Sequence, residues 1–340
     1  MAKYIWAKNK LSTWILEIIN NEVNNFNYSF ADLFAWTWAI WKKAKEYWYK
    51  IISNDLQYYS YIMNYWNVTI NSLDKNIDNI IDSLNNLDWI KGFIFEHFSE
   101  KGSDWRLYFS ENNWKKIDAI RLKIEELLNC KTINKETYNY LLYLLLLEVN
   151  KVSNTTSVFS SYLKKIKDTA KNEIKLSKTI IIDNKQINEI YNEDVNVLIN
   201  KNIKFDIVYL DPPYNWRQYS KSYHLLETIS KYDNPILKGV TWKRNTEDQL
   251  SNYSKKTKIN KSFYDLINDI DCKHLFLSYN NEGILTKKEI LNILKQYWKV
   301  QVFEKTYKRY KSNNNNQKSK NVIEYLFHLN KEQFKATSKR

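Results

Sequence analysis

The feature that most constrains the fold of this chain is an alternation of short apolar, β-rich runs with segments that have a helical sequence pattern. FADLF from Phe30 and YKIISND from Tyr49 are two such runs, and AIWKKAKEYW between them has helical character. Further β-rich runs are KTIIID from Lys178, FDIVYLD from Phe205, KHLFLSYN from Lys273, VQVFEKTYKR from Val300 and NVIEYLFHLN from Asn321. The sequence therefore predicts a doubly wound α/β fold with a largely parallel sheet and a final antiparallel hairpin.

A long helical stretch interrupts the predicted sheet. Within residues 58–176, KKIDAIRLKIEELLN and TYNYLLYLLLLEVNKV carry apolar residues at three- and four-residue spacing, which indicates helices. We therefore expect an N-terminal part of the α/β core at 1–57, a helical insertion at 58–176 and the C-terminal part of the core at 177–340. A chain of 340 residues is long enough for one catalytic domain with such an insertion.

Charge and cysteine content limit the class of protein. The net charge of +14 suits a polyanionic partner such as nucleic acid, although a basic protein of another kind would show the same charge. Cys130 and Cys272 are isolated, so neither a disulfide framework nor a cysteine zinc site is expected. The longest apolar run, LLYLLLLEV from Leu141, is too short to span a bilayer. We expect a cytoplasmic protein without a membrane segment.

The segment that best indicates a functional site is DIVYLDPPY, from Asp206. An apolar strand delivers Asp211, Pro212, Pro213 and Tyr214 to its carboxyl end, where open α/β sheets bind ligands. The prolines carry no amide donor, so backbone carbonyls remain as acceptors beside the carboxylate. Carboxylate, carbonyl and ring together suit a planar amine such as the exocyclic amine of adenine. A plain proline turn after a strand is the alternative.

An earlier turn, in FADLFAWTWAIWKKA from Phe30, has the outline of a cofactor-binding loop. Asp55 lies about twenty residues beyond it, as a ribose-binding acid does in nucleotide-binding α/β folds. Such turns use glycine, because glycine permits positive φ and close approach of the backbone to a ligand. Here Trp36, Trp38 and Trp41 occupy the stretch instead.

Glycine is scarce throughout this chain. It has 4 Gly and 13 Trp, whereas about 7% glycine is usual. DWR, NWK and YWK, at Trp105, Trp114 and Trp298, would be ordinary turns if they contained glycine, and Trp216 and Trp242 also occupy turn-like positions. A gene whose organism reads UGA as glycine, translated as though UGA meant tryptophan, would produce this pattern. We adopt that hypothesis.

Several motifs together resemble the adenine-N6 DNA methyltransferases, in particular the DNA adenine methylase branch. They are DPPY after an apolar strand, FxGxG-like text after an earlier strand, and KYIxxKxKL at the N-terminus, where Trp6 stands at a family glycine. YNEDVNVLI from Tyr191, NTTSVFSSYLKK from Asn154, YHLLE from Tyr223 and LSYNNEGIL from Leu277 add to a likeness that covers nearly the whole chain. The resemblance implies S-adenosylmethionine-dependent methylation of the N6 amine of a flipped adenine at a specific DNA sequence, in restriction-modification or epigenetic marking.

The resemblance also implies the site residues. Asp55 would accept the ribose hydroxyls, and Asp211 and the Pro212 carbonyl would accept hydrogen bonds from the target N6. Tyr214, after Pro213, would stack on the adenine. The implied cofactor-binding residues are Tyr4, Lys8, Phe34, Ala35, Trp36, Trp38, Asp55, Asp194 and Asp211. Asp194 is equally well explained as a solvated loop acid. No metal is implied.

Double-stranded DNA is the expected partner, with a cognate restriction endonuclease as a possible second one. The expected DNA-binding residues are Arg217, Lys243, Arg244, Lys255 and Lys256, although Arg217 could equally fix its loop and the lysines could be solvated. The insertion would recognise the target sequence. His224 is interpreted as a packing or surface residue. The alternatives are a catalytically inactive DNA-binding relative, or an enzyme that acts on RNA or protein amides.

Overall fold

The structure, a computed structural model, describes residues 11–36, 39–156, 158–296, 299–308 and 321–331. The strands in these ranges are β1 (Ser29–Asp32), β2 (Lys50–Asn54), β3 (Glu189–Tyr191), β4 (Phe205–Leu210), β5 (Leu237–Lys238), β6 (Lys243–Arg244), β7 (Cys272–Asn280), β8 (Val300–Lys308) and β9 (Asn321–Asn330). Tyr4, Lys8, Trp6, Trp38 and Trp298 lie outside the described residues.

Seven of the strands form one sheet, in the order β3-β2-β1-β4-β7-β9-β8, and β5 pairs with β6 in a separate hairpin. β1 pairs in parallel with both β2 and β4, with Ala31 opposite Ile52 on one side and Val208 on the other. β9 runs antiparallel to both of its neighbours. The prediction of a largely parallel sheet that ends in an antiparallel hairpin is confirmed.

The predicted strand KTIIID, from Lys178, is wrong. The structure has no strand over 178–188, and the first strand after the insertion is β3. The run instead contacts the helices: Trp66 donates its indole N–H to Thr179 Oγ1 at 2.9 Å. The Ile180 side chain is 91% exposed. β3, and not this run, pairs with β2 at that end of the sheet.

Helices flank the sheet and fill the insertion. They are α1 (Ser12–Val23), α2 (Ala39–Glu46), α3 (Tyr58–Thr69), α4 (Ile77–Asn85), α5 (Phe93–Phe98), α6 (Glu111–Asn129), α7 (Lys135–Val152), α8 (Asp168–Lys171), α9 (Val195–Ile199), α10 (Tyr219–Ser222), α11 (His224–Lys231), α12 (Ile259–Asp269) and α13 (Lys287–Leu294). No helix in the described part of the chain is long and apolar enough to cross a membrane.

The core has three clusters, two of which lie on opposite faces of the sheet. Phe30 packs with α1 and α2, whereas its neighbour Ala31 packs with α9 and α12. This alternation follows from the two-residue period of a strand and confirms the doubly wound arrangement. The third cluster joins the helices α3 to α7, and Leu225, Leu226 and Ile229 of α11 are buried in it.

Candidate active site

The carboxyl ends of β1, β2 and β4 open into a cleft of about 960 Å³. The strand order reverses at β1, which is where open α/β sheets bind ligands. The predicted site residues that line this cleft are Phe34, Ala35, Trp36, Asp55, Asp194, Asp211, Pro213 and Tyr214. Residues from three distant parts of the sequence thus come together. Pro212 is buried beside them and does not line the cleft.

Asp55 fixes the turn after β1 to the end of β2. Its carboxylate accepts hydrogen bonds from the backbone N–H of Trp36 at 2.9 Å and of Gln57 at 2.8 Å. Burial raises the pKa of Asp55 to about 6, against the lowering effect of these bonds, and the negative charge of Glu227 adds to the rise. An ionised carboxylate has about four lone-pair sites, so acceptor capacity remains for a ligand hydroxyl.

The turn after β1 contains a conflict between its backbone and its side chain. Trp36 has φ +28°, in the left-handed region that bulky residues rarely adopt. Its indole N–H donates to Tyr59 Oη at 3.0 Å, and its ring packs 4.9 Å from that of Tyr219. The conformation is one that glycine adopts without cost, so the structure agrees with the expectation of a glycine position here.

The other tryptophans divide into two groups. Trp48, Trp105 and Trp242 also have positive φ, at 70°, 51° and 47°. Trp48 follows the end of α2, where its N–H donates to the Lys45 carbonyl, and helix ends of this kind favour glycine. These three positions therefore suit glycine, as Trp36 does.

Trp41 and Trp114 do not belong with them. Both are buried inside helices, α2 and α6, so the expectation of a turn at Trp114 is wrong. Trp41 also donates its indole N–H to Asn64 Oδ1 at 2.9 Å, in a fully satisfied packing position. Trp216 is 74% exposed in a bend and does not have positive φ.

The DPPY segment directly follows β4, as predicted. The Tyr214 carbonyl accepts a hydrogen bond from the Ile284 N–H at 2.8 Å, and its ring lies edge-on to Tyr279, 6.2 Å away. Gly283 permits this support, because a Cβ at that position would lie 2.1 Å from a ring carbon of Tyr279. The segment from Leu277, singled out in the sequence, thus fixes the position of Tyr214.

Asp194 has a structural role at the start of α9. It is the N-cap of α9, and its carboxylate accepts a hydrogen bond from the Asn196 N–H at 2.9 Å. Asp194 also lines the cleft. Its position is therefore compatible with a cofactor contact and with the simpler capping role.

One wall of the cleft was not anticipated from the sequence. Gln249, Ser251 and Tyr253 come from the loop that follows β6, and Gln57 and Gln218 face the same cleft. Gln218 and Ser251 exchange two hydrogen bonds, of 3.0 and 2.9 Å. No local sequence signal marks these residues, because their contacts join segments far apart in the chain.

The expected DNA-binding residues differ in how available they are. Arg217 and Lys256 are exposed, and Lys243 and Lys255 are half-buried. Arg244 is not available as expected, because it donates through both terminal nitrogens to Asp233, at 2.9 and 2.7 Å, and its side chain is only 8% exposed. In the described part of the chain, no group of three or more His, Cys, Asp or Glu residues could hold a metal ion.

Comparison with known proteins gives the family. The family model of the D12 class N6 adenine-specific DNA methyltransferases matches residues 4–293. The type II methyltransferase M.NlaIII of Neisseria lactamica is 37% identical over 333 residues, which cover 96% of this chain and 99% of that protein. M.CviAII of Paramecium bursaria Chlorella virus 1 is 35% identical, over 97% of this chain and 98% of that protein.

A larger relative matches through part of its length. The type II methyltransferase M.FokI of Planomicrobium okeanokoites is 33% identical over 97% of this chain, and this chain spans 53% of that protein. The strand-end cleft and the match over most of the chain agree with the resemblance that the motifs carried. This chain therefore belongs to the D12 class N6 adenine-specific DNA methyltransferases, whose cofactor is S-adenosyl-L-methionine and whose substrate is DNA.

Proposed function

We propose that this protein methylates an adenine that has been turned out of the duplex at a specific DNA sequence, alongside a cognate restriction endonuclease in the cytoplasm. The observation that supports the proposal most is the sharing of one cleft by Asp211 and Tyr214 with Asp55. An acceptor for an amine, a ring for stacking and an acceptor for ribose hydroxyls thus occupy one space.

The cleft suits the cofactor in position and in chemistry. The cleft is lined by residues that follow β1, β2 and β4, as ligand sites in open α/β sheets are, and Asp55 keeps acceptor capacity beside the β1 turn. S-Adenosylmethionine, when bound, supplies an electrophilic methyl group on a sulfonium. Asp55 would hold the ribose, and the segment from Phe34 to Trp36 would adjoin the methionine portion. Tyr4, Lys8 and Trp38 keep the cofactor-binding roles that the resemblance implies.

The DPPY segment would position and activate the target amine. The Asp211 carboxylate would accept a hydrogen bond from N6, which draws electron density onto a nitrogen whose lone pair is otherwise delocalised into the ring. The resemblance implies the Pro212 carbonyl as a second acceptor, although Pro212 does not line the cleft. Tyr214, held by Tyr279, stacks on the adenine. Correct placement of two reactants can supply about 7–11 kcal/mol of the barrier reduction, so this geometry would account for much of the rate.

The DNA would be bound by the basic segment and the insertion. Lys243, Lys255 and Lys256 would contact phosphates, which position a protein without specifying sequence, and Arg217 would contact the strand near the cleft. The helical insertion would recognise the bases, and α11 joins that insertion to the segment after DPPY.

One observation favours a second candidate, a DNA-binding relative that no longer methylates. Trp36, at φ +28°, both strains the turn and places an indole at the cleft. Sequencing that detects N6-methyladenine, in a host that expresses the gene with glycine restored at its UGA positions, separates the two functions. Methylation at one motif supports the enzyme. Folded protein with no methylation supports the inactive relative, and methylated RNA without methylated DNA would support the RNA-directed alternative.

A further inference from the structure

Two buried glutamines line the cleft with their amide groups in forced orientations. Gln57 and Gln249 are only 5% and 6% exposed. An amide side chain has a donor end and an acceptor end, and neighbouring groups decide which end faces which way. Here the buried carboxylate of Glu227 orients Gln249, and a main-chain carbonyl orients Gln57.

Glu227 accepts hydrogen bonds on both of its oxygens. It is fully buried on α11, and it accepts the N–H of Tyr59 at 2.8 Å and forms an ion pair with Lys231 at 2.8 Å. The Gln249 side chain also donates to it. Because a carboxylate only accepts, Gln249 must present its NH2 group to Glu227, and its amide oxygen therefore faces away.

The same reasoning fixes Gln57. Its NH2 group donates to the main-chain carbonyl of Gln249 at 3.3 Å, and a carbonyl also only accepts. The amide nitrogen of each glutamine is therefore engaged with an acceptor, and the amide oxygen of each points away from that acceptor. Within the residues that the structure describes, neither oxygen has a hydrogen-bond partner.

Gln218 shows what a purely structural glutamine looks like in the same cleft. Its amide nitrogen donates to the Ser251 carbonyl and its amide oxygen accepts the Ser251 N–H, so both ends are used within the protein. A buried acceptor left without a donor destabilises a protein. Because Gln57 and Gln249 both line the cleft, a bound ligand is a ready source of the missing donors.

We propose that the amide oxygens of Gln57 and Gln249 accept hydrogen bonds from the ribose hydroxyls or the ammonium group of the bound cofactor beside Asp55. The proposal rests on the proposed function and adds a neutral acceptor pair to it. Gln57 lies two residues from Asp55, and that carboxylate already lies near the charge of Glu227. Amides add acceptors here without adding a third negative charge, which is why glutamine suits the two positions.

A cycle of protein and ligand changes tests this contact. Binding would be measured by calorimetry for S-adenosylhomocysteine, for its 2′-deoxy and 3′-deoxy forms, and for 5′-methylthioadenosine, which keeps the ribose but lacks the ammonium group. The proteins would be the unsubstituted chain and a Trp36→Gly/Trp38→Gly background, with Gln57→Leu and Gln249→Leu added separately to each. Gln218→Leu is the matched control, since its amide has no free acceptor.

The expected result is a selective loss. Gln57→Leu or Gln249→Leu should weaken S-adenosylhomocysteine binding about tenfold, in line with the loss of one hydrogen bond, and should weaken one donor-deleted analogue far less. If a substitution does not weaken binding of a deoxy analogue, the missing ribose hydroxyl is the donor to that glutamine. If it does not weaken binding of 5′-methylthioadenosine, the ammonium group is the donor. Equal weakening of every ligand, as expected for Gln218→Leu, would overturn the inference. Failure of both starting proteins to bind any ligand would reject the proposed cofactor site itself.

Discussion

The two strand ends that meet in the cleft fit their sequences very differently. After β4, the residues from Asp211 to Tyr214 suit their backbone, and Tyr214 is fixed by an amide and a ring from one neighbouring segment. After β1, Trp36 has a conformation that suits glycine. The β4 end of the cleft is therefore consistent with its residues, whereas the β1 end is not.

The difference shows that the backbone of the β1 turn is determined by its surroundings. The Trp36 N–H is held by Asp55, and the Ala35 N–H is held by the Asn54 carbonyl at 3.0 Å. These bonds do not depend on the side chain at position 36. A tryptophan from a misread UGA codon would be forced into the same shape, which is what the codon hypothesis requires.

The largest effect is expected at the β4 end. Asp211→Ala should lower methyl transfer by roughly 100- to 1,000-fold, as loss of one preorganised polar group does in other enzymes, while DNA binding is retained. Transfer of a labelled methyl group and a DNA-binding titration measure the two. Asp265→Ala, an acid on α12 that pairs with Lys261, is the control. Normal turnover in Asp211→Ala would remove the catalytic assignment.

Glycine substitutions in the β1 turn, in α2 and just after α2 should give three different results. Trp36→Gly should relieve about 1–3 kcal/mol of backbone strain and raise affinity for S-adenosylhomocysteine. Trp48→Gly, also at positive φ but outside the cleft, should raise stability without changing affinity. Trp41→Gly should destabilise by about 3–5 kcal/mol, as loss of a buried large side chain does.

Chemical denaturation and calorimetry on the same samples separate these results. The gene gives an independent check: UGA is expected at the positive-φ positions, and UGG at position 36 would contradict the codon hypothesis. The sequence pattern also assigns position 41 to that hypothesis, but its helical, buried environment makes it the informative case, since UGG there is compatible with the structure.

Stacking at the β4 end should have an intermediate effect. Tyr214→Ala should weaken capture of the target adenine by about 1–3 kcal/mol, whereas Tyr214→Phe keeps the ring and should change little. Fluorescence of 2-aminopurine at the target position reports the capture directly. Equal signals from the alanine and phenylalanine variants would show that the ring does not contact the base.

Acidity should affect the β1 end in a defined direction. Burial raises the pKa of Asp55 to about 6, so its carboxylate is half-protonated near that pH and almost fully ionised about one unit above it. Cofactor affinity should be constant above about pH 7, should begin to fall near the pKa, and should fall by up to tenfold for each unit below it. Calorimetry across pH 5–8 measures this, and Asp55→Asn should flatten the profile at a lower affinity.

The smallest effect concerns DNA docking and should leave both strand ends unchanged. The logarithm of the DNA-binding constant falls linearly with the logarithm of the salt concentration. Neutralising Lys243, Lys255 and Lys256 should make that slope less steep by about 0.9 for each phosphate that these lysines no longer neutralise. Arg244→Gln is the control, since Arg244 is committed to Asp233. An unchanged slope in the lysine variant would mean that the segment is only a solvated loop.

The sequence predicts the framework well because each of its signals is local. The strand ends at Asp55 and Asp211 follow continuous apolar runs, and their neighbours in the sheet follow from the α/β pattern. The KTIIID run has a similar apolar character, but it contacts the helical insertion, and β3 pairs with β2 in its place. The contact of Gln57 with Gln249 spans 192 positions, and no local pattern encodes it.

Helix α11 has a consequence for how recognition could change between relatives. Leu225, Leu226 and Ile229 lie after the DPPY segment in the chain, yet they are buried among the helices of the insertion. A chimera cut at residues 58 and 176 would place these side chains against foreign helices. The proposed recognition region is therefore not structurally independent, and an exchange of the insertion between relatives would have to carry α11 with it.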